Sequence, residues 1–162
     1  MDQESDVPEV RAPTVEDVRR ICRSLDEAGA RYVLIGGFAV ILHGGERTTK
    51  DIDLLVDPAP ENVERIKRAL SILEDDAAHD IDARDLEKYT VVRVADEVMV
   101  DLLAAACGVT WAEAAASAEP IDVGGTRILM ADLETLIRTK RTVRHSDAAD
   151  RAWLEALRDE GT

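Results

Sequence analysis

The sequence predicts an α/β (α+β) fold: a small mixed β-sheet flanked by helices, within a single domain. Three observations carry this. Apolar runs at 32–35 and 52–56 are separated by Gly36-Gly37, an apolar segment at 38–42, a second pair Gly44-Gly45 and a polar bridge over 46–50. Short apolar runs bounded by glycine and polar clusters suit buried strands, so the stretch reads strand, glycine turn, short helix, bridge, strand. Amphipathic helical patterns lie on both sides of it. At 162 residues, 46% apolar and 33% charged, the chain suits one globular domain able to bury a core.

The elements follow in order. Residues 1–13 hold Pro8 and Pro13 among acids without periodicity and predict a mobile arm. Thr14 is placed to cap a helix running to about residue 28, with Asp17 in its first turn and Val15, Val18, Ile21, Cys22 and Leu25 as its apolar stripe. Gly29 closes that helix. The second strand ends at Asp57-Pro58, and Pro60 opens a helix over 61–74 that turns Val63, Ile66, Leu70 and Leu73 inward. An acidic, irregular segment over 74–85 contains a solvated His79. Residues 89–94 and 97–103 read as strands joined into a hairpin by a turn at Ala95-Asp96. A short helix around Trp111 follows, then a hairpin of 121–123 with 126–130 about Gly124-Gly125, which is therefore no phosphate loop. The C-terminal part, about 131–158, is helical with a polar break near His145-Ser146. Residues 14–162 thus form the predicted domain.

Composition narrows the function. A net charge of −14 is opposite to the footprint of a nucleic-acid binder, and 3% aromatics argue against a base-stacking surface. Cys22 and Cys107 lie far apart and outside any Cys/His cluster, so two buried thiols are expected and not a disulfide or zinc site. The chain has no apolar run of transmembrane length and begins with acidic, polar residues, which predicts a cytoplasmic protein with no membrane association.

The chemistry concentrates in the central stretch. Side chains alternate along a strand, so Asp51 and Asp53 point to one face while Ile52 and Leu54 point to the other. Two carboxylates side by side repel unless a cation lies between them, and Mg²⁺ takes oxygen ligands while leaving room for substrate phosphates. Gly36 and Gly37 let backbone approach a phosphate at the start of a helix. Together these features predict a triphosphate–metal site. Asp101, an acid in the apolar strand 98–103, would complete a carboxylate triad if that strand lies beside the first. Arg138, Lys140, Arg141 and Arg144 form a basic cluster near the C-terminal break; it reads either as a solvated helix end or as a clamp on phosphates.

Gly36-Gly37, then thirteen residues, then Asp51-Ile52-Asp53 resembles the DNA polymerase β-like nucleotidyltransferase superfamily. The wording Arg47-Thr48-Thr49-Lys50-Asp51-Ile52-Asp53 resembles the minimal bacterial nucleotidyltransferases, including the abortive-infection (AbiEii/AbiGii-like) toxins. The series Lys140, Arg144, Asp147 and Asp150 is similar to their C-terminal motif. The resemblance implies a nucleotidyltransferase fold with the three acids at one edge of the sheet. It implies Asp51, Asp53 and Asp101 as catalytic residues holding two Mg²⁺ (or Mn²⁺). It also implies Gly36, Gly37, Arg47, Thr49, Lys140 and Arg144 as nucleotide-binding residues, Arg47 reaching the phosphates or bracing the Asp51–Asp53 loop, and Asp147 and Asp150 as acids that help order the helix. By position alone, Asp147 reads as the N-cap of the last helix and Asp150 as a surface or supporting residue. Gly37 stands where serine is commoner, so backbone N–H groups must serve there alone. The implied reaction moves an NMP from an NTP such as ATP to an acceptor hydroxyl and releases pyrophosphate. The acceptor (an RNA or tRNA end, a protein or a small molecule) is not specified, and a cognate antitoxin or a homodimer would be the partner. The alternative is a non-catalytic nucleotide- or partner-binding member of a toxin–antitoxin pair.

Overall fold

The computed structural model describes residues 10–142 and 144–161. Residues 1–9 of the expected arm lie outside the described residues. Residues 10–13 run along the sheet end, where the Arg11 N–H donates to the Glu97 carbonyl at 3.1 Å. Helix α1 (Val15–Glu27) begins in a capping box between Thr14 and Asp17. Asp17 is buried and accepts two 2.7 Å bonds from Arg11, which also reaches Glu97.

Strand β1 (Tyr32–Ile35) leads directly into α2 (Gly36–Leu42), and β2 (Asp51–Val56) follows the polar bridge. Helix α3 (Pro60–Leu70) starts with proline at its first turn, where no N–H is needed. It ends earlier than the expected 74. Past a 3₁₀ turn at Ala77–Asp80 and the single-turn α4 (Asp85–Lys88) come β3 (Val91–Ala95) and β4 (Met99–Leu103). The two-residue ribbon β5 (Ala105–Ala106) and β6 (Val109–Thr110) leads to α5 (Trp111–Ser117). The hairpin β7 (Glu119–Val123) and β8 (Thr126–Met130) turns on Gly124 and Gly125, both at positive φ as a tight primed turn requires. Helices α6 (Leu133–Thr139) and α7 (His145–Glu160) close the chain. The break therefore falls at 140–144, before the expected His145-Ser146, and the last helix starts two residues early.

The sheet is mixed, with strand order β3-β4-β2-β1-β8-β7. Strands β2 and β4 are parallel neighbours with Asp53 beside Asp101, and β3 runs antiparallel with Arg93 beside Asp101. The acids therefore stand on interior strands and not at a sheet edge. Ile52, Leu54, Val100 and Leu102, with the opposite parity, are fully buried in the core. Helix α1 packs on α3 and β8, and α2 and α5 on β1 and β2. Cys22 is buried, but Cys107 is exposed, at a φ of 48° on the loop between β5 and β6. Among the described residues no helix is long and apolar enough to cross a membrane.

The β3–β4 connection departs from expectation in a way that matters. A two-residue turn at Ala95-Asp96 would set Arg93 opposite Val98. The loop is instead Asp96–Glu97–Val98, closed by Asp96 N–H to the Val98 carbonyl at 3.2 Å, and Ala95 pairs with Met99. Asp96 is fully buried and accepts from the backbone N–H groups of Asp75, Ala77 and Glu97 at 2.9, 2.8 and 2.6 Å. A buried acceptor lost from three donors leaves them unsatisfied. Asp96→Ala is expected to lower stability by about 3 kcal/mol in urea unfolding with an unchanged slope, since three charge-assisted bonds are lost at once.

Candidate active site

The pairing of β2 with β4 brings three carboxylates onto one face. Single oxygens of Asp51, Asp53 and Asp101 all lie within 4.8 Å of one another. Asp101 is buried, and Asp51 and Asp53 are partly so. Burial first, and then the negative charges of Asp51 and Asp101, push the Asp53 carboxyl up to about 7, against the pull of Lys140 and Arg144. Clustered hard oxygen donors open to a cleft fit a divalent cation of the Mg²⁺ or Mn²⁺ kind.

The cleft above them has a volume of about 260 Å³. Every residue singled out in the sequence as catalytic or nucleotide-binding lines it: Asp51, Asp53 and Asp101, with Gly36, Gly37, Arg47, Thr49, Lys140 and Arg144. The basic cluster divides. Lys140 and Arg144 face the cleft, whereas Arg138 pairs with Glu113 on α5 and Arg141 is exposed outside it.

The cations on this wall are braced by acids. Lys140 is buried and reaches Asp147 at 3.3 Å and Asp150 at 3.0 Å. Arg47 pairs with the same Asp150, and Arg144 with Asp147 at 2.7 Å. Thr142 adds a hydroxyl bond to Asp147 at 2.5 Å. Burial would raise the Asp147 carboxyl, yet the hydrogen bonds from Arg144 and Thr142 and the charge of Lys140 hold it below its ordinary value. Asp147 was expected as the cap of the last helix. It lies in that helix's first turn and points back to α6, and Arg144 occupies the cap position without a side-chain bond to the helix N–H groups. Asp150, expected as a surface or supporting residue, is buried and ties the bridge before β2 to α7.

The glycines are packing necessities here. Gly36 sits at a φ of 75°, and a side chain on it would meet the Asp53 carboxylate and lie 2.8 Å from the Asp53 Cβ. A Cβ on Gly37 would come within 2.8 Å of Thr49 and 3.2 Å of the Arg47 guanidinium carbon. The pair thus lets the acid, the threonine and the arginine close around the start of α2, whose first turn has no side-chain cap.

Arg93 is the residue that sequence reasoning missed. From edge strand β3 its guanidinium grips both oxygens of Asp101, at 2.8 and 2.9 Å, and reaches Asp51 at 3.3 Å. The signal was present as a lone arginine inside the apolar run Val91-Val92-Arg93-Val94. Its partner depended on the loop length of the hairpin.

Residues 14–160 match the model of a family described as nucleotidyl transferase of unknown function (DUF2204). Six solved chains match as well. One, named a "putative nucleotidyltransferase" of Thermotoga maritima, superposes with a TM-score of 0.56 at 16% identity, over 88% of this chain and 92% of its own. That likeness is one of fold. No curated protein sequence matches.

Gly36→Ala is expected to destabilise by at least about 1–2 kcal/mol from the left-handed backbone alone, with the contact at Asp53 added. Because that contact is shared, Asp53→Ala should relieve part of the cost. A double-mutant cycle in urea should show a coupling of about 0.5 kcal/mol or more between the two sites.

Proposed function

The chain belongs to this nucleotidyl transferase family, and from that premise we propose that it moves an NMP from an NTP to an acceptor hydroxyl with release of pyrophosphate. The observation that carries the reading is the convergence of three carboxylates and a braced cationic wall on one cleft. Asp51, Asp53 and Asp101 hold divalent metal, Mg²⁺ or Mn²⁺ by the nature of their oxygens. Bound there, such ions would supply positive charge against that developing on the phosphates and would ease ionisation of the acceptor hydroxyl.

The residues divide the remaining work. Lys140, Arg144 and Arg47 face the triphosphate and the outgoing pyrophosphate, where fixed positive charge favours the transition state. Asp147 and Asp150 position those cations through the ion pairs already described. Gly36 and Gly37 expose backbone at the start of α2, and Thr49 adds a hydroxyl on the same side. Asp101 completes the metal site; it can take the acceptor proton only once Arg93 frees one of its oxygens.

The wording of residues 47–53 and the Lys140 to Asp150 series support placing the chain among the abortive-infection type transferases, with a cognate antitoxin as its partner. A neighbouring gene for a small transcriptional regulator is the observation expected in that setting.

Calorimetric titration of each NTP with and without Mg²⁺ tests the core of the reading. Binding is expected to need the metal and to vanish in Asp51→Ala/Asp53→Ala, with the double variant still folded by circular dichroism. Binding indifferent to metal and acids would sink the proposal, and binding without turnover would mark the protein as a non-catalytic member of a toxin–antitoxin pair. Arg144, largely exposed, offers a gentler probe: Arg144→Ala is expected to weaken NTP binding about tenfold, the worth of one charge-assisted bond, with little change in melting temperature.

A further inference from the structure

A second cavity adjoins the first. It measures about 460 Å³ and is lined by Val10, Arg11, Ala12, Lys50 and Met99, together with Asp51 and Arg93, which also line the inner cleft. The strand register explains the arrangement. Alternate residues of β2, β3 and β4 share the face that carries the acids. Along that face, Asp51 and Met99 form one row, Asp53, Asp101 and Arg93 the next, and Leu103 and Val91 a third. The inner cleft takes in the second and third rows, with Lys140 and Arg144 above, and the outer groove begins at the first. The two cavities therefore stand in series on one sheet face, and the Asp51–Arg93 ion pair of 3.3 Å is the bar between them.

We propose that the outer groove is the acceptor subsite, and that it takes a hydroxyl acceptor bearing a phosphate group, of sugar-phosphate to single-nucleotide size. The inference rests on the transferase reading above. An in-line displacement needs the acceptor on the side of the reacting phosphorus opposite the leaving group. Lys140, Arg144 and Arg47 all line the inner cleft and none lines the groove, which leaves the groove as the opposite approach. Its volume is that of a small-ligand site.

The groove's charge selects the ligand. Lys50 is exposed and makes no ion pair among the described residues, whereas Arg11 is paired with Asp17 and Glu97 and Arg93 with Asp51 and Asp101, so Lys50 carries the uncompensated charge of the groove. The single acid in the lining is Asp51, whose charge belongs to the metal. A polycationic acceptor is therefore disfavoured and an anionic one favoured, with Val10, Ala12 and Met99 as an apolar bed beside it. Arg93, at the bar, lines the groove as well and presents its guanidinium to an acceptor's phosphate there. The acceptor oxygen then forms a bond to the α-phosphorus, and the bond from that phosphorus to its bridging oxygen breaks. Pyrophosphate leaves with the electron pair, and the acceptor proton passes to Asp101 once Arg93 has turned from one of its oxygens to the acceptor's phosphate.

Methionine supplies the reporter, since Met99 lines the groove while Met130 is buried on β8. Full-length protein carrying ¹³C-methyl methionine would be held with Mg²⁺ and the α,β-methylene analogue of the NTP that calorimetry selects, then titrated with ribose 5-phosphate. The Met99 methyl is expected to shift saturably and Met130 to stay fixed. Ribose without phosphate, and Lys50→Glu with ribose 5-phosphate, should each bind about tenfold more weakly, the loss of one charge-assisted contact. A silent Met99 while the analogue binds in the calorimeter overturns the acceptor groove alone. Equal binding of ribose, or no effect of Lys50→Glu in a variant whose Met130 signal is native, overturns the phosphate preference. Failure of the analogue to bind overturns the transferase reading itself.

Discussion

Three carboxylates held on one face of a sheet repel one another, and much of this structure is arranged to keep them together. The parallel pairing of β2 with β4 sets Asp53 against Asp101, and the period of two along β2 adds Asp51. Gly36, in a left-handed backbone conformation, makes room for the Asp53 side chain. Arg93 supplies countercharge from the edge strand, and its grip on Asp101 depends on the loop that buried Asp96 builds. Burial raises the free-energy cost of charge at the triad, so the same packing that assembles the site creates its demand for a cation.

The opposite wall solves the reverse problem. Lys140 is buried with its ammonium between Asp147 and Asp150, and a buried ammonium without partners would be strongly unfavourable. Each acid of α7 serves two cations, Asp147 taking Lys140 and Arg144 and Asp150 taking Lys140 and Arg47. This network joins the bridge before β2 to the two C-terminal helices. It adds to the buried Leu136 and Ile137 in fixing the short helix α6 over the cleft. Net charge of −14 across the chain does not contradict an anionic substrate, because the field that matters is set by cations at a few ångströms.

The cleft, the Asp51–Arg93 bar and the outer groove make one continuous surface. Asp51 belongs to the carboxylate cluster, the ion pair and the groove lining, and so is common to both cavities. The N-terminal residues 10–12 belong to this surface through Arg11, which is tied to Asp17 and Glu97. An element that reads in sequence as a tail thereby becomes a wall.

What the sequence determined by itself is local. Alternation along 51–56, the glycines that stop β1, the cap at Thr14 and the glycine hairpin at 124–125 all act over a few residues, and their physics is legible without partners. Asp51 and Asp53 were legible for that reason, and Asp101 through the apolar strand that carries it. Tertiary structure alone decided the rest. Arg93 found Asp101 because a three-residue loop, pinned by backbone donors from 75 and 77, set the register; a turn one residue shorter would have put another residue there. Arg144 and Asp147 are three residues apart, but Asp147 and Asp150 became partners of Lys140 and Arg47 because α7 packs on α6 and beside the bridge, which no local spacing encodes. Long-range pairing is fixed by where whole elements meet, and that is a property of the folded chain.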